Sequence, residues 1–149
     1  MLINTSMRPF STVQQRLLPR NYATILRLLL GGPSDIEIER AVLAMTSRCH
    51  DGDPAVLSAW CRWRKLLPVS RANVIRQMLA AASYRAPTKP PAPTLLLASA
   101  GDSLVSTECS RSIARHWGAP ILVHPDAGHD LPLDDAVWVV QQIEAWQPA

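Results

Sequence analysis

Long apolar runs are missing from this chain. Across its 149 residues nothing approaches the roughly 18 consecutive apolar residues that a membrane span needs, and "RLLLGG" is far too short. A secretory leader is missing as well, because "MLINTSMRPF" has no basic start followed by an apolar core, and the expected compartment is the cytoplasm. Cysteine is scarce: Cys49, Cys61 and Cys109 are odd in number and widely spaced, with no C-x-x-C. That pattern fits free thiols in a reducing compartment and argues against a zinc site. Neither a phosphate-binding glycine loop nor a cluster with metal-ligand spacing occurs, so no metal and no organic cofactor is expected. "WCRWRKLL" mixes aromatic and basic residues as a nucleic-acid patch does. At helical spacing, however, Trp60 and Arg64 share a face with Val56, which reads as packing with snorkelling arginines and gives no nucleic-acid partner.

What is present fits one globular domain, with 48% hydrophobic and 18% charged residues. The formal charge is unevenly divided. Residues 1–89 hold 13 Lys and Arg against 5 Asp and Glu, a net +8, whereas residues 90–149 hold 2 against 7, a net −5. Such asymmetry marks two regions with different surroundings, the plainest being amphipathic helices with solvated arginines in the first.

Apolar spacing separates the same two regions. Leu2–Asn4 is a short apolar start of strand type, and residues 1–8 form the first core segment. Residues 9–84 read as four helices. The first covers Gln14 to Leu30, is interrupted at Pro19 and ends at Gly31-Gly32. The second begins with the capping box Ser34/Glu37, runs to about Cys49 and buries Ile38, Val42 and Met45. Asp53 caps the third, with Pro54 at its first position, and Ser70 caps the fourth. In that fourth helix Val74, Ile75, Met78, Leu79 and Ala82 form one apolar stripe. Residues 85–93, "RAPTKPPAP", are an extended connector. Residues 94–149 then alternate: the buried strand "TLLLAS", a helix Thr107–Trp117 closed by Gly118, a second buried strand "APILVH", and a final helix from about Asp135 to Trp146. Strand–helix–strand–helix with continuous apolar strands predicts a short parallel sheet of about three strands, an α/β fold carrying a four-helix insertion. The insertion leaves the sheet where ligands bind in such folds and is placed to act as a cap.

Two side chains fall at that end. Asp102 follows the "LLLASA" strand through Gly101, which suits a tight turn, and His129 follows "APILVH" through "PDAG". Residues just past adjacent parallel strands come out side by side, so this spacing brings a carboxylate behind an imidazole. That pairing fixes the ring's tautomer and stabilises the imidazolium formed during proton transfer. Taken singly, Asp102 reads equally well as a strand-end turn former and His129 as a loop histidine. His124 reads as structural, and Asp126 and Asp130 as loop groups. Asp134 and Asp135 fit a helix N-terminus.

At these residues the sequence resembles the C-terminal half of the α/β-hydrolase fold. "GDSLV" is similar to the acid-bearing turn after that family's seventh strand, and "AGHDLP" to the histidine turn after the eighth. "LINTS" looks like its sixth strand, after which a helical cap normally follows. The resemblance implies serine-hydrolase chemistry on esters or similar acyl compounds, with His129 as general base then acid and Asp102 as its orienter. It also implies a nucleophile in G-x-S-x-G, and none of the six glycines here pairs with another to bracket a serine. Ser6, Ser103 and Cys109 are weak substitutes, since none sits on a sharp strand-to-helix turn with backbone donors behind it. The chain by itself is therefore expected to be inactive, and to be a fragment or one half of a split enzyme. Leu2–Asn4 would then be an exposed apolar edge open to self-association or to an upstream half-chain. The rival expectation is a non-catalytic α/β remnant working as an interaction module.

Overall fold

A computed structural model describes residues 1–147. Its centre is a parallel three-stranded sheet in the order β1 (Leu2–Ile3), β2 (Leu96–Ser99), β3 (Ile121–His124). Leu2 pairs with Leu96 and Ile3 with Leu97. On the other side Leu96 to Ser99 pair with Ile121 to His124. β2 is buried along its whole length, as its unbroken apolar run requires of a strand covered on both faces.

Successive side chains of β2 point to opposite faces and feed two cores. Leu96 packs with Met7, Ile113, Ala114 and Trp117 beneath α6 (Thr107–Trp117). Leu95 and Leu97 pack with Ala127, Leu131 and Val139 beneath the one-turn α7 (Leu131–Asp134) and α8 (Ala136–Ala145). α6 starts where Ser106 accepts the Glu108 amide and ends at Gly118, whose φ of 58° is the left-handed conformation of a helix C-terminus. α8 begins where Asp135 accepts the Trp138 amide, and Trp146 is its cap. The turn α7 lies in a stretch the periodicity leaves as loop.

Between β1 and β2 the chain forms α1 (Val13–Arg16), a 3-10 turn (Pro19–Asn21), α2 (Tyr22–Leu30), α3 (Asp35–Thr46), α4 (Pro54–Leu66) and α5 (Arg71–Ser83). The expected first helix is therefore divided at Pro19, giving five α-helices among the described residues where the spacing predicts four. α3 has its Ser34/Glu37 capping box, but ends at Thr46. Its buried residues are Leu43 and Glu39, while Ile38, Val42 and Met45 are half-buried. Glu39 can be buried because Arg64 of α4 donates its Nε–H to the carboxylate.

The stripe on α5 is formed but little covered. No residue of that helix is buried, and Ile75 and Leu79 are exposed. The spacing marks an amphipathic helix whose stripe is only partly covered: Val74 and Met78 are half-buried, while Ile75, Leu79 and Ala82 are exposed. The connector after α5 returns beside the start of the chain, where Ala86 donates to the Arg8 carbonyl at 3.1 Å.

These burials set unequal mutational costs. Leu97→Ala is expected to lower unfolding free energy by about 3 kcal/mol. Ile75→Ala and Leu79→Ala are expected to stay within about 0.5 kcal/mol of the parent. Urea unfolding of the three variants checks both statements.

Candidate active site

Because the strands run parallel, the loops after β2 and β3 leave the same edge of the sheet. Ser99 closes β2 opposite His124 at the close of β3, and Ala100 donates to the His124 carbonyl at 2.9 Å. Asp102 follows with its side chain 1% exposed. Its Oδ1 accepts the backbone amides of Leu104 and Val105 at 2.8 and 2.9 Å. Its Oδ2 lies 2.8 Å from Nδ1 of His129, whose side chain is 28% exposed. With the carboxylate accepting, Nδ1 carries the proton and Nε2 is left as the ring's acceptor. Among the described residues Nε2 has no hydrogen-bond partner.

The glycine before each of these residues is there for close approach. A methyl group at Gly101 would lie 2.6 Å from the Asp126 carbonyl oxygen and 2.8 Å from that of Ala127. One at Gly128 would lie 2.6 Å from the Thr46 carbonyl oxygen. Gly101 was expected to ease a tight turn by its conformational freedom, but its φ is not positive, and packing of one loop against the other is what excludes a side chain.

Two further residues, which the sequence reading did not single out for the site, hold the histidine loop. Asn4 leaves β1 with φ 44°, a conformation asparagine tolerates better than most residues. Its Nδ2 donates to the carbonyls of His129 at 2.7 Å and Gly128 at 3.2 Å and to Ser99 Oγ at 3.0 Å. Its Oδ1 accepts the Ser99 amide at 2.8 Å. Asp134 was expected only to favour a helix dipole. Instead it accepts the Gly128 amide at 2.6 Å, the Arg48 amide at 3.0 Å, the Cys49 amide at 3.4 Å and the Ser47 hydroxyl. Burial alone would raise its pKa, but the Ser47 hydroxyl and the amides of Arg48, Gly128 and Cys49 outweigh it and hold the carboxyl below the usual range.

His124 is consumed as a brace. Its Nδ1 accepts the amides of Asp126 and Ala127 at 3.1 and 2.8 Å, which leaves Nε2–H to donate to Asp135 at 3.3 Å. The Asp130 amide donates to the Thr46 carbonyl at 2.8 Å. On the acid side, Asn21 donates to the Ser103 carbonyl at 2.9 Å, and the Leu18 amide to the Leu104 carbonyl at 2.9 Å. The segment between β1 and β2 thus grips both loops.

The substitute nucleophiles are not brought to His129. Ser103 donates its hydroxyl to the Met45 carbonyl at 2.7 Å. Cys109 is fully buried on α6, and burial pushes its thiol pKa up, away from the reactive thiolate. Ser6 is half-buried beyond Thr5, whose carbonyl accepts from Ser110 of α6, and no hydrogen bond joins Ser6 to His129 among the described residues. Groups of three or more potential metal ligands are absent among the described residues.

Against this geometry, a protein-family model described as "Serine hydrolase" matches residues 15–133. The chain belongs to the serine hydrolase family. Three solved structures show the α/β-hydrolase fold it shares. A structure named for a non-heme bromoperoxidase of Mycobacterium tuberculosis H37Rv is 23% identical, with a TM-score of 0.64 over 96% of this chain and 55% of that one. One named for a lipase of Acinetobacter baumannii AYE is 19% identical, with a TM-score of 0.67 over 96% and 50%. An esterase of Thermogutta terrifontis is 23% identical, with a TM-score of 0.64 over 97% and 53%. The chain spans about half the length of the solved structures it matches. No curated protein matches it.

The Asp134 network makes a pH-dependent prediction. A carboxyl with a lowered folded pKa contributes stability above its unfolded value, near pH 4, and loses it as pH falls through the lower folded value. Asp134→Asn, which sets an NH2 against these donors, is expected to cost about 2 kcal/mol at neutral pH. The gap from the parent should close on acidification, as unfolding curves across that range will show.

Proposed function

We propose that this hydrolase chain supplies the acid and the histidine of an ester- or acyl-hydrolysing site, and that the serine comes from residues outside this sequence. The observation that carries the proposal is the 2.8 Å contact of His129 Nδ1 with Asp102 Oδ2, made while the other carboxylate oxygen is fixed by two amides.

In this reaction His129 Nε2 removes the proton from a serine hydroxyl as its oxygen attacks the acyl carbon. Asp102 holds the Nδ1–H tautomer and stabilises the imidazolium. The imidazolium returns the proton to the departing alkoxide as the tetrahedral intermediate collapses to an acyl-enzyme. A water, deprotonated by the same Nε2, then releases the acid and the serine. The serine and the oxyanion-binding amides belong on the nucleophile turn, which no G-x-S-x-G here provides. The chain alone is therefore inactive in this reading, as a piece of a longer enzyme or one half of a split one.

The same proposal assigns residues 1–8 and 94–149 to the catalytic core, residues 9–84 to a cap over the site and residues 85–93 to its connector. The outer edge of β1 pairs with no strand among the described residues, which suits it to receive the missing half or a second copy. A small ester or acyl compound is the substrate, no cofactor takes part, and the cytoplasm is the place of action. Among the described residues no helix is long and apolar enough to cross a membrane.

A fluorophosphonate, which modifies only an activated serine, tests the proposal on native protein captured with an antibody to residues 120–147. The expected result is one labelled serine in G-x-S-x-G, in the same polypeptide or in a co-captured one. Labelling should fall by a factor of about 10³ or more in His129→Ala and be strongly reduced in Asp102→Asn. A captured 16.4 kDa chain with no labelled serine in it or beside it overturns the proposal and leaves the non-catalytic module.

A further inference from the structure

Asn4 ends β1 beside both arms of the Asp102–His129 pair. Its backbone amide still belongs to the sheet and donates to the Leu97 carbonyl at 3.0 Å. The residue is buried, and its side chain reaches in two directions. Toward the acid it meets Ser99, three residues before Asp102. There Oδ1 accepts the Ser99 amide at 2.8 Å, and Nδ2 donates to Ser99 Oγ at 3.0 Å. Toward the base, Nδ2 donates to the carbonyls of Gly128 at 3.2 Å and His129 at 2.7 Å. An amide NH2 has two hydrogens, so three acceptors saturate it and at least one hydrogen is shared. The orientation is forced as well. Turned over, the group would set Oδ1 against two carbonyl oxygens and its NH2 against the Ser99 amide.

The other supports of the histidine loop lead to the cap segment. Asp134 joins the Gly128 amide to Ser47, Arg48 and Cys49, and the Thr46 carbonyl holds the Asp130 amide. Asn4 instead joins the loop to the strand that carries the acid. Ser99 is fixed there from its other side too, because its carbonyl accepts from Thr107 Oγ1 at 2.6 Å. The His129 side chain is 28% exposed and its ring is held by Asp102, so the ring's place follows the backbone that carries it. We propose that Asn4 is a positioning residue that sets the reach of His129 Nδ1 to Asp102 Oδ2. Its part in catalysis rests on the acid-and-base reading of that pair, whereas its hold on the ring does not. Misplacement by about 1 Å breaks a hydrogen bond of this kind and costs up to about 10²-fold in rate.

Nitrogen NMR spectra of the 149-residue chain with isotope-labelled histidine test it. In the parent, His129 should be the Nδ1–H tautomer, with that proton slow to exchange with water. Asn4→Asp keeps the shape but turns a carboxylate toward the two carbonyls. Asn4→Gly removes the side chain and is unstrained at a φ of 44°. Both variants should mix the His129 tautomers and speed exchange of the Nδ1 proton about tenfold or more. His50, whose Nδ1 meets Asp53 at 3.1 Å in the turn before α4, should keep its parent spectrum. In the native protein, Asn4→Gly should lower the fluorophosphonate rate at saturation about tenfold and leave the half-saturating concentration unchanged. A parent-like His129 spectrum in both variants, or an unchanged labelling rate, overturns the proposal and leaves the catalytic reading standing. Loss of the His50 and His129 patterns together in both variants also overturns it, since Asn4 then only supports the fold. A parent His129 without the Nδ1–H tautomer overturns both. A native protein with no labelled serine ends the catalytic reading, and the spectra still decide whether Asn4 holds the ring.

Discussion

The histidine loop depends on two side chains that terminate its backbone hydrogen bonds. Asn4 takes the carbonyls of Gly128 and His129, and Asp134 takes the amide of Gly128. A loop crossing the end of a buried sheet has no ladder in which to place these groups, and an unpaired buried amide or carbonyl is costly. Both partners are themselves anchored, Asn4 through Ser99 of β2 and Asp134 through Ser47 to Cys49 after α3. Loss of either side chain therefore leaves several polar groups unsatisfied together, which is how such networks gain their rigidity. A fixed backbone at Gly128 and His129 in turn restricts the ring that meets Asp102.

The same crowding explains the two glycines. Gly101 lies against the carbonyls of Asp126 and Ala127, and Gly128 against the carbonyl of Thr46. A side chain at either position would push apart the acid loop, the histidine loop or the end of α3. The helical segment is thus built into the site's support. Its contacts reach the acid loop from residues 15–21 and the histidine loop from residues 46–49.

What could be read from the residues follows a physical division. β2 and α6 were legible because burial on both faces, a serine cap and a C-terminal glycine are local signals. β3 was legible as a strand but not as a buried one, since it is an edge of the sheet, Ile121, Val123 and His124 are half-buried and Leu122 is exposed. The pairing of Asp102 with His129 was legible because adjacent parallel strands turn sequence order into spatial order. The role of Asn4 was not, since its partners lie 95 to 125 residues away and its side chain carries no periodic signal. Asp134 had a plausible local use at a helix start, which hid its use by Ser47 and Gly128. On α5 the period was legible and the burial was not, because periodicity says which side of a helix is apolar and nothing about what lies opposite. Ile75 and Leu79 are exposed, whereas Val74 and Met78 of the same stripe are half-buried.

Asp102 admitted two readings, a turn former or an acid behind a histidine, and the structure gives each of them one oxygen. Oδ1 accepts from Leu104 and Val105, as an aspartate does when it closes the turn after a strand. Turn closure is complete with that atom and places no demand on Oδ2. Yet Oδ2 is the atom that meets His129 Nδ1, across a separation of 27 residues. The turn amides fix the carboxyl plane, so Oδ2 is aimed before any substrate arrives and no reorganisation is needed when the imidazole becomes charged. A glutamate would lose the amide contacts of Oδ1, and an asparagine would present either its NH2 to the amides or its NH2 to Nδ1–H. Only a short ionised carboxylate fills both positions, so turn chemistry and proton transfer select the same residue at 102.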